Sequence, residues 1–258
     1  MVKPLDYEMR DGYRIPALGL GTWMLKGARC TAIVKRAIEL GYKHIDTADM
    51  YGNHEEIGEA IKGVDRASIF LVSKVRPNNL QYHSVIRDCN RNLRELGTDY
   101  FDLYLIHWPN KTVPIQETLR AFNELVDEGK IKSIGVSNFT IHHLNDALRA
   151  EYHPISNNQV RFHPYDHDPS LLKYCHKQRI VVTAYSPLGK ARILSHTTIQ
   201  KMAKKYKHTS AQICLRWGLQ KGVVVIPKTQ SKARLIENMD IFNWEISQED
   251  MKRLDSLT

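Results

Sequence analysis

Four side chains that could together protonate an oxygen atom lie at or near the ends of apolar, strand-like runs. The run in KHIDTADMYG ends on Asp46, and Tyr51 follows five positions later. Lys74 ends the run IFLVSK, and His107 ends the run in LYLIHWP. Each residue alone also fits an ordinary buried or surface role. Their recurrence about every 30 positions, close to one βαβ repeat, predicts that they meet at one end of a sheet.

These residue types suit the transfer of a proton to a carbonyl oxygen. An ammonium beside a phenol stabilises the phenolate, so we expect Lys74 to lower the pKa of Tyr51 and make it a usable acid. Asp46 would keep Lys74 charged, because a buried ammonium without a counter-ion tends to lose its proton. His107 would orient and polarise the carbonyl oxygen.

These four side chains can supply a proton, but the reduction of a carbonyl also needs a hydride, which none of them supplies. The set includes no nucleophile with a base, no metal-ligand set and no facing pair of carboxylates, which argues against a barrel glycosidase. A hydride from a nicotinamide would complete the reduction of a carbonyl. The Rossmann fingerprint is absent, because Gly19-Leu-Gly21 leads into Thr22-Trp23 without a third glycine. A dinucleotide would therefore bind by another fold.

The loops SPLGKAR and PKTQSKAR predict a phosphate site. Barrels often bind phosphate with the loops after their last two strands and a helix N-terminus. In the second loop Lys228 and Arg234 supply cations, while Thr229 and Ser231 supply hydroxyls. Such a set favours the 2′-phosphate of NADPH over NADH. A basic helix start on the surface is the alternative for this loop.

The spacing of apolar runs predicts an α/β fold, a closed (β/α)8 TIM barrel. Eight runs alternate with longer amphipathic stretches, as in repeated βαβ units. Residues 5–15, with Asp11-Gly12 at their centre, predict a β-hairpin that closes the bottom of the barrel. The predicted strands cover residues 17–20, 43–46, 69–74, 101–107, 131–136, 156–160, 180–185 and 223–227.

The stretches between these runs carry helical signals. Gly41 stands at a plausible C′ position, and Asn53 with Glu56 three residues later predicts a variant of the capping box. The predicted helices cover residues 31–42, 53–63, 84–96, 114–130, 140–151, 197–207, 210–222 and 231–239, and a last helix lies in 247–257.

Composition and charge narrow the class of protein. With 258 residues and 42% apolar content the chain can bury a large core, and we expect one domain over residues 1–258. The net charge of +9 is spread between acids, so we expect no nucleic-acid partner. Without a signal peptide or a membrane-spanning run, we expect a soluble cytoplasmic protein. The scattered cysteines predict reduced thiols and no metal site: Cys30, Cys89, Cys175 and Cys214.

Longer motifs carry a resemblance to a known family. From GLGTW at Gly19 onward the chain resembles the aldo-keto reductases, through DTADMYGN, LGTDYFDLYLIHWP, GVSNF, AYSPLG and IPKTQSKARLIEN in the family's order. It is similar to the compact microbial members that reduce 2,5-diketo-gluconate or methylglyoxal. The resemblance implies NADP(H), a small carbonyl substrate and a monomer. It also implies a catalytic tetrad with Tyr51 as the acid: Asp46, Tyr51, Lys74 and His107.

The resemblance further implies which residues bind cofactor and substrate. The nicotinamide carboxamide would contact Ser137, Asn138 and Gln159, and Tyr185 would stack on the ring. Phosphate and ribose contacts would come from Ser186, Leu188, Lys228, Thr229 and Arg234, adenine contacts from Glu237 and Asn238, and further cofactor contacts from Gly21, Thr22, Trp23 and Asp46. The substrate would contact Trp23, Tyr51, His107 and Trp108, although the two tryptophans could instead be barrel packing.

Two features depart from the family pattern. His54 stands where similar sequences usually carry Glu. The sequence ends at Thr258, whereas larger relatives continue into a loop over the substrate, so we expect an open pocket. The sequence thus predicts an NADPH-dependent reductase of aldehydes and ketones. A noncatalytic NADPH-binding regulator that senses redox state is the alternative.

Overall fold

Eight parallel strands form a closed barrel in the computed structural model, which describes residues 6–257. Ten strands lie in this part of the chain: β1 Asp6–Glu8, β2 Arg14–Pro16, β3 Gly19–Gly21, β4 His44–Asp46, β5 Phe70–Val75, β6 Phe101–Ile106, β7 Ile131–Ser137, β8 Ile155–Arg161, β9 Val181–Tyr185 and β10 Val224–Val225. Strands β3 to β10 pair in chain order. A bridge between Leu18 and Val225 closes the ring, and the Val225 amide donates to the Ala17 carbonyl at 2.9 Å. The predicted TIM barrel is confirmed.

The predicted barrel strands all exist, and no end differs from its predicted position by more than two residues. The largest differences occur at the seam of the barrel. There β10 is only two residues long, and residues 17 and 18 contribute to closure through single contacts rather than a full ladder. Apolar composition extends beyond the paired backbone at these positions, so the sequence pattern predicts longer strands than form.

The N-terminal hairpin lies across the bottom of the barrel. Strands β1 and β2 pair antiparallel, with Tyr7 opposite Ile15. Met9 and Ile15 are buried and pack in one cluster with barrel residues that include Phe70 and Val224. The predicted hairpin is thus confirmed from residue 6, while residue 5 lies outside the described residues. Burying apolar side chains at the open end of the barrel removes their surface and that of the barrel interior from water.

Helices surround the barrel, and their apolar faces pack against its outer surface. Their bounds are α1 Gly27–Glu39, α2 His54–Ile61, α3 Tyr82–Leu96, α4 Ile115–Asp127, α5 Ile141–Ala150, α6 Pro169–Lys177, α7 Thr197–Tyr206, α8 Ser210–Gln220, α9 Lys232–Met239 and α10 Gln248–Asp255. Helix α1 ends as predicted, with Gly41 at φ +99°, a conformation that glycine adopts without steric cost.

Helix α6 is the one barrel helix that the sequence analysis missed. It has nine residues and buries only Leu171 and Cys175, so its apolar periodicity is weak. A capping signal was nevertheless present. The Asp168 carboxylate accepts hydrogen bonds from the Ser170 and Leu171 amides at 2.8 and 3.0 Å, and Pro169 occupies the first helical position.

Other global features concern cysteines, metals and membranes. All four cysteines are buried and unpaired. Within residues 6–257, no group of three or more His, Cys, Asp or Glu side chains is arranged to hold a metal ion. No helix in the same residues combines the length and the hydropathy that crossing a membrane requires.

Candidate functional site

The four predicted proton-transfer residues lie together at the C-terminal end of the barrel. Asp46 is the last residue of β4, Lys74 lies next to the end of β5, and His107 directly follows β6. The Lys74 ammonium donates to Asp46 Oδ1 at 2.7 Å and to the Thr47 carbonyl at 2.8 Å. Its Nζ lies 5.1 Å from the centre of the Tyr51 ring. The Tyr51 and His107 rings meet edge to face, with centres 5.8 Å apart.

Lys74 keeps its charge although it is fully buried. Burial by itself lowers the pKa of an ammonium. Here the Asp46 carboxylate and the Tyr51 hydroxyl outweigh burial, and the pKa of Lys74 is raised. The second Asp46 oxygen accepts a hydrogen bond from Gln159 Nε2 at 2.7 Å. Asp46 therefore holds Lys74 charged and oriented, as the sequence analysis expects.

The expected net lowering of the Tyr51 pKa is wrong. Lys74 does lower this pKa, but burial of the hydroxyl raises it by more, and the nearby Asp46 adds to the increase. The pKa of Tyr51 is therefore raised. The reason is that a phenolate loses its hydration on burial, and one ammonium that is already shared with a carboxylate does not replace it. Tyr51 is consequently a phenol, with its proton in place, throughout the neutral range.

His107 is a neutral imidazole. Burial lowers its pKa to about 3, and repulsion from Lys74 contributes to the shift. Its Nδ1 atom is buried and has no hydrogen-bond partner among residues 6–257. A neutral imidazole at this position can offer one N–H without adding a positive charge next to Lys74.

Four further predicted residues form a polar shelf beside this group, made of Ser137, Asn138, Gln159 and Tyr185. The Ser137 hydroxyl donates to the Gln159 carbonyl at 2.8 Å. Asn138 has φ +63° and donates through Nδ2 to the His107 carbonyl and to Ser137 Oγ, each at 3.0 Å. The Tyr185 hydroxyl donates to Asn138 Oδ1 at 2.8 Å. The shelf is thus fixed by its own hydrogen bonds, and it joins the proton-transfer group through Gln159.

Tyr51 is carried by a short 3₁₀ turn, Asp49–Tyr51, that neighbouring elements hold on several sides. Asp49 is buried and pairs with Arg76 at 2.9 Å and with Arg91 at 2.8 Å. On the other side the Lys26 ammonium donates to the carbonyls of Tyr51 and Gly52, the latter at 2.8 Å. These contacts place the phenol against Lys74.

The predicted capping box at the start of α2 is wrong. Asn53 precedes the helix but makes no side-chain capping bond. It is fully buried, accepts from the Thr47 hydroxyl at 2.7 Å and donates to the carbonyls of Thr22 and Leu25. Glu56 instead accepts from the Gly27 amide at the start of α1, at 2.9 Å. Tertiary partners thus take both side chains away from the local motif.

His54, the departure from the family pattern, also lies in a buried network. Its Nδ1 is 3.0 Å from Glu95 Oε2, and its Nε2 is 3.1 Å from Ser73 Oγ. Burial lowers the pKa of His54, and Glu95 opposes that shift. Ser73 precedes Lys74 on β5, and successive strand residues point to opposite faces. His54 therefore supports β5 from outside the barrel and does not enter the proton-transfer group.

These residues surround a cavity of about 350 Å³. Trp23 and Trp108 stand at its mouth, 46% and 47% exposed, so neither packs inside the barrel. A separate cleft of about 540 Å³, which includes Arg66 and Tyr100, contains none of the predicted site residues. The cavity is lined by Gly21, Thr22, Trp23, Asp46, Met50, Tyr51, His107, Trp108, Ser137, Asn138, Gln159, Arg161, Tyr185, Ser186, Lys190, Ile226 and Lys228.

A groove of about 640 Å³ continues from this cavity and shares several wall residues with it. It holds the remaining residues predicted for cofactor binding: Leu188, Thr229, Arg234, Glu237 and Asn238. Ser231 caps α9, and its hydroxyl accepts from the Arg234 amide at 3.4 Å. Neither Lys228 nor Arg234 forms an ion pair with an acid of residues 6–257. The groove thus offers cations and a helix N-terminus to an anion.

The sequence analysis missed four residues of the cavity wall: Met50, Arg161, Lys190 and Ile226. For Arg161 a signal was available. It follows Gln159 by two positions on β8, and side chains two apart on a strand face the same side. Lys190 has φ +54° in an irregular loop, which no periodic pattern predicts.

The chain forms a closed barrel with a polar cavity and an adjoining groove at its C-terminal end, and comparison with known proteins finds the same barrel. The aldo/keto reductase family profile matches residues 17–258. The chain is 43% identical to glyoxal reductase of Bacillus subtilis (strain 168), covering 97% of this chain and 91% of that protein. It is 38% identical to 9,11-endoperoxide prostaglandin H2 reductase of Trypanosoma cruzi (strain CL Brener), covering 96% and 90%.

Solved structures agree with the sequence comparison. The aldo-keto reductase MGS-M4 from a Medee basin deep-sea metagenome library has a TM-score of 0.94 and 40% identity, covering 97% of this chain and 94% of that one. An aldo/keto reductase from Brucella melitensis has a TM-score of 0.93 and 39% identity, covering 98% and 99%. The chain therefore belongs to the aldo/keto reductase family, a family of oxidoreductases that act on carbonyl compounds.

Proposed function

We propose that this protein reduces aldehydes and ketones to alcohols, with NADPH as the reductant and Tyr51 as the proton donor. The observation that carries the proposal is the proximity of a protonated, half-buried phenol to a charged ammonium, in a cavity that opens into a cationic groove. An oxygen that gains electrons in such a cavity needs a proton and a nearby positive charge, and this site offers both.

The donor groups of the site fit a nicotinamide dinucleotide. The amides of Asn138 and Gln159 and the hydroxyl of Ser137 match a carboxamide, and Tyr185 offers a half-buried ring on which the nicotinamide can stack. Phosphates and ribose would lie along Ser186, Leu188 and the start of α9, with the 2′-phosphate near Lys228, Thr229 and Arg234 and the adenine near Glu237 and Asn238. When bound, the reduced nicotinamide supplies a hydride to the carbonyl carbon.

The proton and the oxygen are then handled by the chain. His107, as a neutral imidazole, orients the carbonyl oxygen toward Tyr51. Tyr51 transfers its hydroxyl proton to that oxygen as negative charge develops there. The Lys74 ammonium stabilises the phenolate that remains, and Asp46 holds Lys74 in position with support from Gln159. This order requires Tyr51 to begin as a phenol, which its raised pKa ensures.

Small reactive carbonyl compounds are the substrates that we propose. The cavity mouth is lined by Trp23, Trp108 and Met50, which give apolar contact without closing the opening. Apolar walls of this kind discriminate weakly between substrates of similar size. The similarity to glyoxal reductase of Bacillus subtilis supports glyoxal and methylglyoxal as first choices.

The test is a direct assay of the purified protein. Glyoxal, methylglyoxal and a series of aromatic and aliphatic aldehydes are each mixed with NADPH, and the loss of NADPH absorbance is followed together with the alcohol formed. We expect turnover with at least the dicarbonyl compounds and a lower KM for NADPH than for NADH. Tight NADPH binding without turnover on the whole series would reject the proposal and support the noncatalytic regulator.

A further inference from the structure

We propose that Arg161 makes the site bind reduced nicotinamide cofactor more tightly than oxidised cofactor. The inference rests on the proposed function, because it takes the polar shelf as the nicotinamide position. It adds a role for a residue that neither the tetrad nor the phosphate contacts include.

The position of Arg161 on β8 places it at the edge of the shelf. Arg161 is the last residue of β8, on the same face as Gln159, and it lies opposite Tyr185 in the strand register. It lines the same cavity as Tyr51. Burial raises the pKa of the Tyr185 hydroxyl, and the neighbouring guanidinium opposes that shift. The charge of Arg161 thus acts on the ring that the nicotinamide would stack on.

The other charges of the cavity wall are compensated. The oxygens of Asp46 are engaged by Lys74 and Gln159. Lys190 and Lys228 border the groove as well as the cavity, so the phosphates of a bound cofactor would offset them.

Arg161 itself pairs with an acid that lies outside the cavity. Its Nη1 atom lies 3.2 Å from Asp166 Oδ2, and the two side chains are 52% and 54% exposed. Asp166 lines a neighbouring cleft of about 420 Å³ and not the cavity. The pair is neutral as a whole, but its positive end lines the cavity and its negative end does not.

This charge distinguishes the two states of a nicotinamide. The oxidised ring carries a formal positive charge, whereas the reduced ring is neutral. The positive end of this pair repels only the oxidised ring, and for a half-exposed charge that lines the same cavity we expect a change in relative affinity of roughly 3- to 10-fold. The consequence is that the spent cofactor leaves more readily, which favours repeated reduction.

The experiment measures Kd for NADPH and for NADP⁺ by quenching of tryptophan fluorescence, in the wild type and in Arg161→Met. Methionine keeps much of the side-chain length and removes the charge. We expect the ratio of Kd for NADP⁺ to Kd for NADPH to fall roughly 3- to 10-fold in Arg161→Met, and Arg161→Lys to keep most of the wild-type ratio. The difference between wild type and Arg161→Met should shrink as salt is added.

Two control variants separate this role from simpler ones. Asp166→Asn removes the counter-ion and should raise the ratio, opposite to Arg161→Met. Arg234→Met should weaken both cofactors equally and leave the ratio unchanged, because the proposed 2′-phosphate contact is the same in both states. An unchanged ratio in Arg161→Met, or equal loss of both affinities, would overturn the inference while the reductase proposal stands. Failure to bind either cofactor would overturn both.

Discussion

At the scale of single residues, the protonation state of each group in the site is set by its burial and by the charges next to it. Lys74 is charged because Asp46 and Tyr51 outweigh its burial, and Tyr51 keeps its proton because burial outweighs Lys74. A phenol that was already a phenolate at neutral pH would have no proton to give. With its pKa raised, Tyr51 carries its proton at neutral pH, but a higher pKa also makes the phenol a weaker acid, so transfer depends on stabilisation of the phenolate. In the proposed reaction, Lys74 stabilises the phenolate left after transfer.

Tyr51→Phe tests this role directly. The variant removes one hydroxyl and keeps the ring, so its edge-to-face contact with His107 and its place above Lys74 remain. We expect kcat to fall by at least about 100-fold, the usual contribution of a general acid, with Kd for NADPH nearly unchanged. Steady-state kinetics and fluorescence titration check the two values. Tyr152→Phe, at a side chain that is 77% exposed, is the control and should behave as wild type. Full activity in Tyr51→Phe would exclude Tyr51 as the acid.

At the scale of elements, the turn Asp49–Tyr51 depends on contacts from helix α3, from the residue that precedes α1 and from the residue that follows β5. Arg91 of α3 and Arg76 after β5 hold Asp49, and Glu56 of α2 accepts from the start of α1. Lys26, at the N-cap of α1, donates to the carbonyls of Tyr51 and Gly52. The turn has only three residues and little apolar burial of its own. Its position is therefore set by these polar contacts more than by packing.

Lys26→Met should loosen this turn without unfolding the barrel. Both carbonyls would lose a donor on the solvent side, so we expect kcat to fall by about 10-fold through misplacement of the phenol. Kd for NADPH should not change, and the free energy of unfolding should fall by less than about 1 kcal/mol because the ammonium is exposed. Lys35→Met is the matched control, since Lys35 lies on the exposed side of α1 and, among residues 6–257, forms an ion pair only with Glu59, at 3.8 Å. An unchanged kcat in Lys26→Met would show that the turn keeps its position without the Lys26 hydrogen bonds.

At the scale of the whole molecule, closing the barrel buries polar groups that an open sheet would leave in water. His44, on β4, is fully buried, and its ring meets Phe70 edge to face with centres 5.3 Å apart. Its Nδ1 lies 3.3 Å from the Pro16 carbonyl, and its Nε2 has no partner among residues 6–257. Burial lowers the pKa of His44 to about 4. The folded barrel therefore stabilises the neutral form of the His44 ring.

Acid should destabilise the fold through this group. The folded pKa lies below the unfolded value of 6.5, so the unfolded chain binds the proton first. The contribution of neutral His44 to the free energy of unfolding is fully present above pH 6.5 and is lost as the pH falls toward 4. For a fully buried imidazole this contribution is up to about 3 kcal/mol. Urea unfolding of the wild type and His44→Gln at pH 7 and at several values down to pH 4.5 measures the slope. The slope should be shallower in His44→Gln, and the slope that remains should come from the other histidines with lowered pKa, His107 and His54 among them. His83→Gln, on an exposed face, should leave the slope unchanged. Equal slopes would contradict this account.

The sequence by itself determined the repeat of strands and helices and the chemistry available at the rim. Strand-ending side chains such as Asp46, Lys74 and His107 recur with the βαβ repeat, and in a parallel barrel that repeat brings them to one end. The family motifs added the residues of the groove. These features are local or periodic, and a periodic pattern is visible in one dimension.

Only the tertiary structure decided how the rim residues act on one another. Gln159 binds Asp46 across 113 positions of sequence, and Arg161 lines the cavity beside Tyr185. The Asn53 side chain binds the Thr47 hydroxyl and the Thr22 carbonyl and does not cap α2. The same is true of the direction of the Tyr51 pKa, which depends on how deeply the hydroxyl is buried. Burial and long-range contacts follow from the closure of the barrel, and no stretch of sequence contains that information alone.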